Sequence, residues 1–280
     1  MRVHLIKFIY SVIIMSGLWI TNLSAQTGNP DTTKLLAAVS KKTIEYKTSI
    51  AEANVIFPEN LEAHKEQSLD YVEKYSTKQR DFLLHTYQTG KKYFPKIVAV
   101  LKRYQLPEEL KVLIALESGF SANAVSKVGA VGYWQIMDVV AKEYGLQIAP
   151  RNTVAGAKIK DDRKNLIKST SAAAKYLRDR QTYLNNNLLL MVASYNCGLG
   201  TIRHAIKKSG KTNPEFWDIK KFLPAETKNF VLNFIALNVI FNNYENFANR
   251  QLLFAPKVIK IPFESPVYNN SIPVETLDAD

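Results

Sequence analysis

The chain is short of the residues that staple or arm many small enzymes. One cysteine, Cys197, stands among 280 residues. No internal disulfide can form, so stability must come from a packed core, which this length allows. The four histidines, His4, His64, His85 and His204, are scattered along the chain. No His-Glu-x-x-His pair exists, which removes the common zinc-hydrolase arrangement. A Walker loop is absent, and Gly198-Leu199-Gly200 lacks the third glycine of a dinucleotide fingerprint. No motif recurs with a period of about 20–50 residues, which argues against a solenoid. Beyond the first 25 residues, no apolar run is long enough to span a bilayer.

What is present is an ordinary globular composition, 46% hydrophobic and 22% charged. Arg2, His4 and Lys7 precede an apolar run from Phe8 to Ile20, and Leu23-Ser24-Ala25 offers a small-residue cleavage site. Residues 1–25 therefore read as a signal peptide, with a retained anchor helix as the alternative. The run is shorter than the ~20 residues of a spanning helix, which favours cleavage. No cysteine lies near the cut, so a lipid-modified N-terminus is not expected. Cleavage would lower the net charge from +12 by the two of Arg2 and Lys7, to +10. The lysines are spread along the chain and most are expected simply to keep the surface solvated. On an exported chain the partners such charge would favour are anionic envelope polymers or membrane surfaces, ahead of nucleic acid.

Residues 26–34 are polar and read as a linker. Residues 35–105 carry helical spacing, interrupted at Phe57-Pro58-Glu59-Asn60 and Tyr93-Phe94-Pro95. A helix is expected from Pro107 to Ser118-Gly119, another over 133–144 ending at Gly145, and a third capped by Ser169 or Thr170. Leu188 to Ala193 is apolar on every side and reads as a buried helix. Phe230, Phe234, Leu237 and Phe241 mark a later helical face, and four prolines from Pro256 to Pro273 suggest an extended tail. No convincing sheet pattern precedes that tail, so the fold class expected is mainly α.

Leu110, Leu113 and Ile114 form an apolar helical face, and the next position on it is Glu117. Burial disfavours the charged carboxylate and raises its pKa, the tuning a general acid needs near neutral pH. The competing reading is a buried glutamate paired with lysine or arginine. Cys197 follows an apolar helix with no evident basic partner, and reads as a small buried hydrophobe.

Three ordered segments carry a family resemblance. They are Leu116-Glu117-Ser118-Gly119-Phe120, then Gly129-Ala130-Val131-Gly132-Tyr133-Trp134-Gln135-Ile136-Met137, then Ala193-Ser194-Tyr195-Asn196-Cys197-Gly198. Together they resemble the motifs of the soluble lytic transglycosylase (SLT) domain. Asp161-Asp162-Arg163 and Leu223-Pro224-Ala225-Glu226-Thr227-Lys228 are similar to those of the membrane-bound lytic transglycosylase D branch.

The resemblance implies a lysozyme-like helical domain with a glycan-binding groove. It implies cleavage of the β-1,4 bond between N-acetylmuramic acid and N-acetylglucosamine in peptidoglycan, with no cofactor and no metal. By matched position Glu117 is the catalytic acid and base. Ser118, Gln135, Tyr195, Asn196 and Glu226 are the candidate substrate-binding residues, and Trp134 is a candidate for ligand contact. Gly198 is expected to let the chain leave the buried helix closely packed. Asp162 and Arg163 are expected to pair with each other.

The domain layout that follows is 1–25 signal peptide, 26–79 linker and helical segment, 80–250 catalytic domain and 251–280 tail. The product would be a 1,6-anhydro sugar released in the cell envelope or periplasm. Phe230 departs from the family's frequent tyrosine. A lysozyme-like hydrolase would instead need a carboxylate to activate water, from Asp161, Asp162 or Glu226. A non-catalytic peptidoglycan-binding scaffold is expected to lack the acid.

Overall fold

A computed structural model of the chain describes residues 44–148 and 160–264. The expected signal segment and linker lie outside the described residues. The described residues fall into two units, one within Thr48–Ile259 and the other holding 44–47 and 260–264. No helix among the described residues is long and apolar enough to cross a membrane.

The fold is mainly helical, as the sequence pattern indicates. Strand β1 (Ile44–Ala51) is followed by a 3-10 turn, Glu59–His64, and by helices α1 (Lys65–Lys78), α2 (Arg80–Gly90) and α3 (Phe94–Arg103). A 3-10 turn over Glu108–Val112 leads into α4 (Leu113–Ser118), then α5 (Asp138–Glu143). After a short turn at Asp162–Lys164 come α6 (Leu166–Tyr183), α7 (Leu188–Ser209) and α8 (Phe216–Ile219). The chain ends with α9 (Ala225–Asn242), α10 (Tyr244–Ala248) and strand β2 (Lys257–Glu264), which pairs with β1.

Helix α9 is the axis of the larger unit. Val231, Phe234, Ile235, Leu237, Val239 and Ile240 on it are fully buried, and it packs against α1, α4 and α7. Each such side chain contributes about 1.5–3 kcal/mol of burial. The apolar run Leu188–Ala193 forms the buried start of α7. The Asn187 side chain caps it by accepting from the Leu190 amide at 3.0 Å.

Several local expectations are corrected. Residues 44–51 are a strand; Ile44, Tyr46, Thr48 and Ile50 alternate with polar residues, a period of two that a helical reading of 35–105 overlooks. Helix α5 starts at Asp138, not near 133, because Gly132 and Gln135 have φ of 80° and 47°. Those angles build a tight turn instead of a first helical turn. Asn165 caps α6, while Ser169 and Thr170 lie inside it and return their hydroxyls to the carbonyls of Asn165 and Leu166.

Trp134 is fully buried, with its indole N–H donated to Thr170 Oγ1 at 2.9 Å, so it is a core residue and not a ligand contact. Arg163 pairs with Asp161 and Asp138, and Asp162 pairs with Lys168. The expected Asp162–Arg163 pair is not made, because adjacent residues in this 3-10 turn face different partners. Gly198 has open space around its Cβ position. Its φ of 80° and ψ of 153° break α7 internally, so glycine is needed there for conformation and not for close packing.

Candidate functional site

Glu117 sits in the last turn of α4, which ends where Gly119 turns left-handed at φ 56°. Leu113 and Ile114 of the same helix are fully buried, so the carboxylate occupies the edge of an apolar face. Burial and, second to it, the negative charge of Glu226 push the Glu117 carboxyl up to about 8. It forms no ion pair with a lysine or arginine among the described residues. Among the described residues the structural salt bridge finds no partner, and the carboxyl favours its protonated form.

The turn beside it is held from several sides. Ser118 Oγ donates to the main-chain oxygen of Tyr133 at 2.7 Å, tying the end of α4 to that turn. Gln135 Nε2 donates to the carbonyls of Gly132 and Ala124, at 3.0 and 3.2 Å. Arg163 reaches the Ile136 carbonyl at 3.4 Å while gripping Asp161 and Asp138. Gly132 lies so close to this segment that a Cβ there would stand 2.2 Å from the Arg163 carbonyl oxygen.

Helix α7 supplies the next wall. The Tyr195 hydroxyl donates to the Trp134 carbonyl at 2.7 Å. Burial, and then the charges of Glu117 and Tyr176, hold that phenol well above its ordinary range, so it stays neutral. Asn196 Oδ1 accepts from Thr227 Oγ1 at 2.8 Å, which fastens the start of α9 to α7. Glu226, exposed on the first turn of α9, is thereby held where its charge acts on Glu117.

The fold thus brings Ser118 and Tyr195 onto one turn that contains Gln135, while the Glu226 charge acts on Glu117 and Asn196 bonds to Thr227, the residue after Glu226. Asp161 and Asp162, the other carboxylates considered for activating water, are engaged by Arg163 and Lys168. No group of three or more His, Cys, Asp or Glu among the described residues is placed to hold a metal ion.

Two residues escaped the sequence reading. Tyr176 of α6 meets the Tyr195 ring edge-to-face at 5.6 Å and, with Gln135, Met137 and Tyr195, lines a small cleft of about 110 Å³. Thr227 positions Asn196. Tyr176 reads in sequence as one more apolar position of a helix. The Leu223–Lys228 segment flags Thr227 only by its adjacency to Glu226.

Residues 95–217 match the family model described as the transglycosylase SLT domain. Over 201 residues the chain is 30% identical to membrane-bound lytic murein transglycosylase D of Escherichia coli K12. That alignment covers 71% of this chain and 41% of the relative, so the chain spans about two fifths of that relative's length. It is also 30% identical over 129 residues to a putative tributyltin chloride resistance protein of Alteromonas sp. strain M-1, covering 46% of this chain and 58% of that one. Among solved structures, an inactive mutant of lytic transglycosylase Slt from Pseudomonas aeruginosa aligns at 23% identity. It covers 55% of this chain and 24% of that one, with a TM-score of 0.44.

Proposed function

From the match of residues 95–217 to the transglycosylase SLT domain and the 30% identity to membrane-bound lytic murein transglycosylase D, we propose that this chain is a peptidoglycan lytic transglycosylase of the cell envelope. It cleaves the β-1,4 bond between N-acetylmuramic acid and N-acetylglucosamine, in a lysozyme-like groove. The observation that carries this reading is the unpaired Glu117 carboxyl, raised to about 8 by burial and by Glu226.

A carboxyl that keeps its proton at neutral pH can give it to the glycosidic oxygen as the C–O bond breaks. The resulting carboxylate then accepts the proton of the muramyl C6 hydroxyl, whose oxygen attacks the anomeric carbon. A 1,6-anhydro ring closes and no water is consumed, so the proton returns to Glu117 at the end of the cycle. A hydrolase working through two carboxylates would need a second one free to act on water or on the sugar. Asp161 and Asp162 are committed elsewhere, which leaves exposed Glu226 alone of the three candidates for that role. Neutral Tyr195 and the amide of Asn196 face the sugar, Gln135 and Ser118 keep the turn in place, and neither metal nor cofactor takes part. The N-terminal signal segment delivers the protein to the periplasm, and its basic charge favours anionic envelope surfaces.

Mass spectrometry of the soluble products from purified peptidoglycan, with Glu117→Gln alongside, tests this. The expected products are muropeptides lighter by one water, without reducing muramyl ends, and absent from the variant digest. Reducing muramyl ends would overturn the transglycosylase reading in favour of hydrolysis.

A further inference from the structure

Away from the Glu117 turn, a second cleft of about 360 Å³ opens between α2, α3, the Glu108–Val112 turn and the C-terminal part of α9. Asn238, one of its lining residues, lies twelve residues along α9 from Glu226, roughly 18 Å at 1.5 Å per residue. None of the candidate site residues lines it.

Two charges of opposite sign that make no ion pair among the described residues share this cleft. Glu109 is only 6% exposed. Its carboxylate oxygens each accept from the Asn60 amide at 3.1 Å, yet no cation pairs with it among the described residues. A carboxylate so buried is costly unless a cation or several donors reach it. The neighbouring lysine, Lys111, pairs with Glu108 instead, at 3.4 Å. Lys91 also lines the cleft and makes no ion pair among the described residues; its ammonium lies over the rings of Tyr87 and Tyr244, at 5.4 and 5.8 Å. Tyr87, Phe94 and Phe241 add apolar wall to the same cleft.

We propose that this cleft binds a free α-amino-acid end group, its ammonium on Glu109, its carboxylate on Lys91 and its aliphatic stem against the aromatic walls. A neutral sugar would leave both charges unanswered, and a simple anion or cation would answer only one. The choice of substrate rests on the peptidoglycan reading above: peptide stems built with a diamino dicarboxylic acid carry such a group at a side-chain end. The cleft is then a peptide-stem site, separate from the glycan groove.

The experiment is calorimetry on the full chain with N-acetyl-alanyl-γ-glutamyl-diaminopimelate, whose single ammonium is on the diamino acid. The control is the same peptide with that ammonium acetylated. Wild type is expected to bind the first peptide about tenfold or more tightly than the second, the scale of one charge-assisted hydrogen bond. Glu109→Gln should weaken binding about tenfold and Lys91→Ala about threefold, while Glu117→Gln binds as wild type does. Lys91 is exposed, so its variant decides the matter should the Glu109 variant not fold. Equal affinity for the two peptides, no binding of either, wild-type affinity in Lys91→Ala, or loss of binding in Glu117→Gln would each overturn the proposal. Tighter binding of a neutral chito-oligosaccharide in competition would do the same. Binding is read without glycan cleavage, so a protein that bound the peptide but released no anhydro products would refute the proposed activity and not this site.

Discussion

The Tyr195 hydroxyl reaches across 61 residues of chain to donate a 2.7 Å hydrogen bond to the Trp134 carbonyl. It joins the buried helix α7 to the turn that carries Gln135. Ser118 joins the same turn to α4 through Tyr133. Two adjacent carbonyls of one turn therefore receive hydroxyls from the two helices that carry Glu117 and Asn196. Tyr195→Phe keeps the ring but drops that tie. We expect kcat on peptidoglycan to fall about tenfold, with circular dichroism unchanged, because the turn loses one positioning bond.

Glu117→Gln should abolish release of anhydro-muropeptides while stabilising the protein at alkaline pH. The folded state holds this carboxyl protonated, with its pKa up from 4.5 to about 8. Its stabilising contribution is complete below about pH 4.5 and is lost as pH rises to about 8. Urea melts should show the variant gaining on wild type across that window, by on the order of a few kcal/mol at pH 8, and little difference at pH 4. An equal gain at both pH values would contradict the assignment of a raised pKa.

Glu226→Gln removes the like charge that contributes to raising Glu117. The Glu117 pKa should drop, and the alkaline limb of the kcat/KM profile, where the acid loses its proton, should move to lower pH. Burial is the larger cause, so the limb should stay above the ordinary glutamate range. A limb that did not move would mean that Glu226 has no electrostatic hold on Glu117.

Gly132→Ala should destabilise the domain by about 2 kcal/mol or more, read as a lowered melting temperature. Its new Cβ would stand 2.2 Å from the Arg163 carbonyl oxygen, at a φ of 80° that L-residues rarely adopt. Because backbone lies on both sides of the clash, neither partner can swing away cheaply.

The apolar spacing before Glu117 was legible because helix periodicity is local: Leu110, Leu113 and Ile114 are all fully buried. The glycine at 119 and the apolar run from 188 were legible for the same reason, each acting within a few residues. Trp134 misled because an aromatic in a motif looks the same whether it faces a ligand or Thr170, and only the packing of α6 beneath it decides. Asp162 and Arg163 misled because adjacency in sequence says nothing about direction in a 3-10 turn.

What the sequence by itself determined is the main helical segments, the place of one carboxylate on an apolar helical face and the family that its ordered motifs resemble. These depend on side-chain periodicity and on backbone preferences of glycine and proline, which operate over a turn or two. Tertiary structure decided the rest. It brought the Glu226 charge to Glu117 from 109 residues away and engaged Asp161 with Arg163. It also set Glu109 and Lys91, which make no ion pair among the described residues, in a single cleft. Coulombic and packing interactions act through space, and the positions that share them are chosen by how helices cross, not by their order along the chain.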